Sequence, residues 1–286
     1  MQLNEIEAFV AICDLGSFRA AANAIHITQP AISKRLATLE TRLGHRLLDR
    51  VGRGSALTEA GRAYLPHARK LLMEVENSSR ALDNLSANVS GRLGLALSHH
   101  IALHRIPPIL RRFKQAYPEV DLEIEFLGSE TACRAIASGR LELAIITLPQ
   151  PAMPGLEQRE IWRDRMHILV APDHALTKQE NLTPAALINT PALLPDESTY
   201  TYGIVANALA PFGVKPDLRQ SSNFLETLKM LASVGLGWTA LPESMIDSSL
   251  QVLNFEGLNL ERSLGAVRHP QRSLSNAANA FLELLA

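Results

Sequence analysis

The chain has 286 residues, of which 47% are hydrophobic and 20% charged, a composition that excludes a disordered chain and, at this length, predicts two or three folded units. Its formal net charge of −1 would by itself argue against a nucleic-acid partner. The distribution argues the other way: Leu15 to Arg53 carries seven bases and two acids, whereas residues 71–286 carry 18 bases and 23 acids, a basic head on an acidic body.

Met1 to Val10 carries Glu5 and Glu7 and lacks the basic and apolar regions of a secretory signal. No stretch reaches the run of about 18 apolar residues that a spanning helix needs. A cytoplasmic protein with no membrane partner is expected. Cys13 and Cys133 form no CxxC pair and read as small core residues.

Ile6, Phe9, Val10 and Cys13 recur at helical spacing up to Gly16. Ser17 is placed to cap a second helix whose apolar side is Phe18, Ala21, Ala22 and Ile25. Thr28 is an N-cap with Pro30 in the first turn of a third helix, which buries Ile32, Leu36, Leu39 and Leu43 before Gly44. Three short helices with a tight second turn form the layout of a helix-turn-helix. Gln29, Ser33, Lys34 and Arg35 lie off the apolar stripe, where Gln pairs with adenine and Arg or Lys with guanine. After Gly44, HRLLDRVGRGSALT reads as two short strands around a Gly-rich turn, with Arg50 and Arg53 on the resulting wing to neutralise phosphates. The candidate DNA contacts are Ser17, Thr28, Gln29, Pro30, Ser33, Lys34, Arg35, Arg50 and Arg53. The competing reading is a generic helical bundle with solvated charges.

The run SFRAAANAIHITQPAISKRLATLETRLGHRLLDR followed by LTEAG resembles the DNA-binding region of LysR-type transcriptional regulators. Thr28 to Ser33, Leu39-Glu40, Leu43-Gly44 and Leu57-Thr58 carry the resemblance over residues 3–61, and it continues more weakly along the chain. Leu48 stands where the family more often has Phe. The resemblance implies an α/β protein: an N-terminal winged helix-turn-helix (1–58), a linker helix (59–88) that dimerises the chain, and a two-lobed α/β effector-binding domain of periplasmic-binding-protein type (89–286). Lobe I is expected over about 91–162 and 266–286, and lobe II over about 163–265.

From Thr58 one long helix is predicted, with Tyr64, Ala68, Leu71, Val75, Ser78, Leu82 and Leu85 forming a heptad seam that favours self-association over packing on the helix's own domain. Pro66 interrupts it. Ser86 to Gly91 reads as a hinge. RLGLALS, a helix from about Leu103 to Ala116, VDLEIEFL, a helix through Ala132 to Ala137, and LELAIIT then give the βαβαβ rhythm of a parallel sheet. MHILVA, ALLP, a helix around Val205 to Leu209, another from Phe224 to Ala232, and WTAL form a second group. Ser275 to Leu285 reads as a closing helix that returns to the first lobe.

Ligands of open α/β sheets bind at the carboxyl ends of strands, where helix N-termini point into the crevice. Those ends nominate Ser98, His99, His100, Ser129, Thr131, Thr147, Thr199, Thr201 and Asn223, a hydroxyl-rich set suited to a small anionic effector. For each one a helix cap or hinge hydrogen bond is an equal alternative. His100 and His104 share a helix face and adjoin His99, but no third or fourth ligand is identifiable, so no metal and no cofactor is expected. Trp238, in SVGLGWTALP, reads as core.

The resulting expectation is a regulator that binds double-stranded DNA at a quasi-palindromic operator, responds to a small-molecule effector, and assembles as a homodimer or, with a second interface, a homotetramer. Contact with RNA polymerase stays open. An enzyme is disfavoured because the chain has no GxGxxG after a strand, P-loop, GxSxG or HExxH. A constitutive DNA-binding protein with an idle cleft is the third possibility.

Overall fold

Helix α1 (Leu3–Leu15) ends at Gly16, whose φ of 63° is the left-handed stop the sequence requires there. The Ser17 hydroxyl accepts the Ala20 amide and opens α2 (Phe18–Ala24), and Thr28 does the same for Ala31 at the start of α3 (Gln29–Leu43). Phe9, Ile12, Ala21, Ile32 and Leu39 meet in one core from which water is excluded. Strands β1 (Leu48–Val51) and β2 (Gly54–Leu57) pair antiparallel, and α4 (Glu59–Asp83) follows from its cap Thr58. The computed structural model describes residues 2–51, 54–85 and 88–285, which divide into a unit within residues 1–86 and a unit within residues 87–286.

The stripe on α4 serves two surfaces. Ala68 is fully buried and Tyr64 packs its ring 5.7 Å from that of Phe9, so the first turns lie on the helix's own unit. Leu71, Val75, Leu82 and Leu85 are exposed, the last by 82%.

The second unit begins with β3 (Gly91–Leu97), α5 (His99–His104), α6 (Pro107–Ala116), β4 (Val120–Phe126), α7 (Ser129–Ala137) and β5 (Leu143–Thr147). It continues through β6 (Glu157–Val170), β7 (Ala192–Leu194), α8 (Tyr200–Leu209), β8 (Leu218–Ser221) and α9 (Leu225–Ser233). Strands β9 (Trp238–Pro242), β10 (Gln251–Leu253) and β11 (Glu261–Arg268) precede the closing helix α10 (Asn276–Leu284). The strands order as β4-β3-β5-β11-β6-β9-β7-β8, with β10 on β6. Around β3, and again around β7, neighbours run parallel.

Two sequence expectations need correction. The single helix from Leu103 to Ala116 is two helices, because Pro107 and Pro108 donate no amide and force a new start at Pro107. The sheet is mixed: β6 and β11, of which only the MHILVA run stands out in the sequence, run antiparallel through its middle.

These two strands carry the chain between a lobe I core built on Leu95, Phe113, Ile145 and Phe281 and a lobe II core built on Ile168, Leu194, Val205 and Trp238. Trp238 is fully buried and its indole donates to the Thr190 carbonyl at 3.1 Å. Helix α10 packs on lobe I, capped by Ser275, whose own amide donates to Glu142. Gly265 sits at the register shift between β6 and β11, where a Cβ would lie 2.1 Å from the Arg159 carbonyl oxygen.

At the crossing, Asp164 of β6 and Arg262 of β11 are each only 3% exposed. Arg262 donates to Asp164 Oδ2 through Nη2 (2.9 Å) and Nε (3.3 Å), and Arg105 Nη2 donates to Oδ1 at 2.7 Å. Burial alone pushes the Asp164 carboxyl up, but the charges and hydrogen bonds of the two guanidiniums outweigh it and hold the carboxyl below the usual range. A carboxyl depressed in the folded state adds stability above its unfolded pKa of about 4, which is lost as pH falls below that value. Asp164→Asn is therefore expected to lower stability at neutral pH by about 3 to 5 kcal/mol, because it strands a buried guanidinium. Urea midpoints from neutral pH down to about pH 3 check this: the wild type loses stability over the acid range, and the gap to the variant narrows.

Candidate functional site

On the first unit the α3 side chains sort as the apolar stripe requires. Gln29, Pro30 and Lys34 are exposed, Ser33 and Arg35 half-buried, and all belong to the first two turns. The Ser17 and Thr28 hydroxyls are engaged as helix caps, accepting the Ala20 and Ala31 amides. Arg50 lies in β1 with its side chain outside the described residues, and Arg53 lies outside them altogether.

The wing is held by groups that carry no signal of their own in the sequence. Glu40 Oε1, on α3, accepts the amides of Leu47 (2.7 Å) and Leu48 (3.2 Å), tying the entry of β1 to the recognition helix. Thr58 donates its amide to Leu47 O (3.0 Å) and its hydroxyl to Arg46 O (2.7 Å), while that hydroxyl accepts the Gly61 amide (2.9 Å). Gly61 is obligatory, since a Cβ there would lie 2.0 Å from Leu47 O. The LTEAG run thus has a physical meaning: cap, close approach, and the start of α4.

On the second unit, a cleft of about 330 Å³ opens between the lobes. It brings together Ser98, His99, His100, Ser129, Thr147, Thr199, Thr201 and Asn223 from the sequence-derived set. Thr131 is the exception: it is exposed, two residues past Ser129 on another side of α7, and its hydroxyl accepts from Arg134 at 2.9 Å. The wall also includes Arg262, Glu130 and Phe224, which sequence reasoning missed because nothing in their neighbourhoods distinguishes them from ordinary charged or core residues.

Several lining groups are already engaged. Thr199 caps α8 through the Tyr202 amide, Asn223 Oδ1 accepts the Asp196 amide at 3.1 Å, and Ser129 Oγ accepts the Thr147 amide at 3.2 Å. The Tyr200 amide, at the α8 N-terminus on lobe II, donates to Glu130 of lobe I at 2.6 Å. The Ser98 hydroxyl makes no cap bond to α5. Arg262 spends Nε and Nη2 on Asp164, which leaves Nη1 uncommitted among the described residues, in the cleft wall.

The histidines occupy one end of this cleft. His100 is buried, and its ring is pushed down to about 3, first by burial and then by the charges of Arg262 and His104. Neither of its nitrogens makes a hydrogen bond among the described residues. His104 Nε2 lies 3.1 Å from Glu226 Oε1 of α9, and His99 Nδ1 lies 3.4 Å from Glu226 Oε2 without hydrogen-bond geometry. Burial raises the Glu226 carboxyl, but hydrogen bonds from its own backbone amide and His104, with the charges of His99 and His100, bring it below its ordinary value.

The family model for the bacterial regulatory helix-turn-helix protein, lysR family, matches residues 3–62, and that for the LysR substrate binding domain matches residues 86–286. The probable RuBisCO transcriptional regulator of Thalassiosira pseudonana is 28% identical, over 98% of this chain and 95% of its own length. An uncharacterised helix-turn-helix-type transcriptional regulator of Azotobacter vinelandii is 56% identical over 108 residues, 38% of this chain and 75% of that protein. A full-length OxyR from Pseudomonas aeruginosa, solved as a cysteine-to-aspartate variant, shares the fold over 100% of this chain and 93% of its own, with a TM-score of 0.73 at 21% identity. Full-length CbnR complexed with its target DNA shares it over 100% and 99%, with a TM-score of 0.61 at 19% identity. With a lysR-family helix-turn-helix in its first unit and the LysR substrate binding domain over the second, the chain belongs to the LysR family of DNA-binding transcriptional regulators.

Proposed function

We propose that this regulator binds double-stranded DNA as a homodimer, one α3 in the major groove of each half of a quasi-palindromic site, under the control of a small anionic ligand held between the lobes of its second unit. The single observation that carries the ligand reading is Arg262, a guanidinium in the cleft wall with one nitrogen uncommitted among the described residues. The N-terminal ends of α7, α8 and α9 line the same space and add their partial positive charge. A carboxylate is the first chemistry to test, because a guanidinium edge and hydroxyls suit its planar oxygens.

The dimer reading rests on Leu71, Val75 and Leu82, heptad positions on α4 that a single chain leaves exposed, and on Leu85 just past its end. CbnR, which shares the fold, has been solved in complex with its target DNA, and this supports a DNA partner here. A coupling of about 1 to 3 kcal/mol between cleft and DNA changes operator occupancy several-fold.

Mobility shifts on duplexes from the chain's own upstream region test the DNA half. Gln29→Ala is expected to weaken the preferred duplex by about 1 to 3 kcal/mol and relax discrimination at one base pair. Arg53→Ala is expected to weaken every duplex alike and reduce the salt slope by about one. Wild-type binding by both variants sinks the assignment.

A thermal-shift titration with small mono- and dicarboxylates tests the cleft half. Saturating ligand at about 100 times its Kd is expected to add about 2.7 kcal/mol to the second unit. Thr201→Val, which removes a lining hydroxyl, is expected to weaken the best carboxylate by about tenfold. An unchanged melting temperature across the panel, or equal affinity in the variant, removes the anion from the account.

A further inference from the structure

We propose that His100, His104 and Glu226 form a binding site for a transition-metal dication, with Zn²⁺ the reference ion. The site joins the two lobes, since the histidines stand on α5 of lobe I and Glu226 on α9 of lobe II. One donor atom from each of His100, His104 and Glu226 lies within 4.8 Å of the others. The two imidazoles, four residues apart, have ring centroids 4.6 Å apart.

The hydrogen bonds say what kind of occupant fits. Both ring nitrogens of His100, His99 Nδ1 and Glu226 Oε2 are buried and make no hydrogen bond among the described residues. Orphaned buried polar atoms are rare in folded proteins; His99 Nδ1 and Glu226 Oε2 face each other at 3.4 Å without a hydrogen bond, and the two His100 nitrogens make none. A carboxylate oxygen only accepts, so a simple carboxylate does not satisfy Glu226 Oε2, whereas a cation satisfies it together with the imidazole lone pairs.

Donor chemistry narrows the choice further. Imidazole nitrogens suit Zn²⁺, Ni²⁺ or Cu²⁺, whereas Mg²⁺ and Ca²⁺ take oxygen donors. Two or three imidazoles with one carboxylate make a common zinc donor set. Bonds of about 2.0 to 2.1 Å hold tetrahedral donors about 3.3 Å apart, so binding draws α9 toward α5 by no more than about 1.5 Å.

The surroundings are compatible with added positive charge. Arg105 and Arg262 are offset by Asp164 and Glu226, which leaves the immediate environment neutral. Asp164 Oδ2, 3.8 Å from His100 Nε2, is the carboxylate available to orient that ring once an ion takes the other nitrogen. His104 and Glu226 are about one-third exposed, which gives an ion its entrance. An ion here acts on the same lobe-to-lobe equilibrium as a ligand in the cleft, but through different residues from those in the anion test.

The test uses the full-length protein stripped with chelator and dialysed against Zn²⁺ at neutral pH without small carboxylates, the bound ions being counted by elemental analysis. One ion per chain is expected in the wild type, and Co²⁺ in its place is expected to give the visible absorption of a tetrahedral site. His104→Ala and Glu226→Gln alter part-exposed side chains, so both variants are expected to fold, with metal-free melting curves as the check. Each is expected to reduce affinity at least tenfold. A wild type that retains no ion, or wild-type affinity in either variant, overturns the site. Neither result bears on the anion reading, because no carboxylate is present and Thr201 is not a ligand.

Discussion

A carboxylate sealed between two guanidiniums decides how the second unit is put together. Strands β6 and β11 must pass from one lobe core to the other, and each core is apolar on both sides of the sheet. Asp164 and Arg262 mark the passage, and Arg105 closes over the pair from the end of α5, its guanidinium 5.9 Å above the Trp162 ring. Buried ion pairs add little net stability relative to apolar residues of the same size, but removing one partner is severe. The triad's bonds are made at one register of β6 on β11, in which Arg262 stands opposite Asp164. It also leaves a cation in the cleft wall and depresses the basicity of His100 beside it.

The first unit is organised around a backbone position. Leu47 gives its amide to Glu40 of α3 and its carbonyl to Thr58 at the start of α4, and the same carbonyl excludes any side chain at position 61. Recognition helix, wing and linker therefore share one anchor, which is itself only 1% exposed. A wing fixed to α3 by a charge-assisted bond, about 1.5 to 3 kcal/mol, holds its place relative to the exposed side chains of that helix.

Much of this was legible in the sequence because it is local. Ser17, Thr28, Thr58 and Ser275 cap their helices with amides three residues ahead, and Gly16 and Gly44 adopt the left-handed stops expected of them. Strand ends nominated from short apolar runs put eight of nine cleft residues in one place. What escaped notice is non-local. The first half of β6 is charged and largely exposed, so it carries neither alternation nor an apolar run, and its strand character comes from pairing with β11 about a hundred residues later. Arg262 and Glu226 look like ordinary surface charges until the lobes bring them to Asp164 and the histidines. Thr131 was misplaced because only the first residues of α7 reach the cleft.

The cleft already contains an anion of its own. Glu130 reaches from lobe I to the Tyr200 amide at the N-terminus of α8, the position a ligand carboxylate would choose, and so ties the two lobes together. On the proposed reading a ligand does not close an open cleft. It competes with an internal carboxylate for one helix terminus while gaining Arg262. A hydrogen bond to a charged group contributes about 1.5 to 3 kcal/mol, the same order as a typical allosteric coupling energy. On that reading the Glu130–Tyr200 bond is a contact that differs between the two states, as any ligand-driven shift requires.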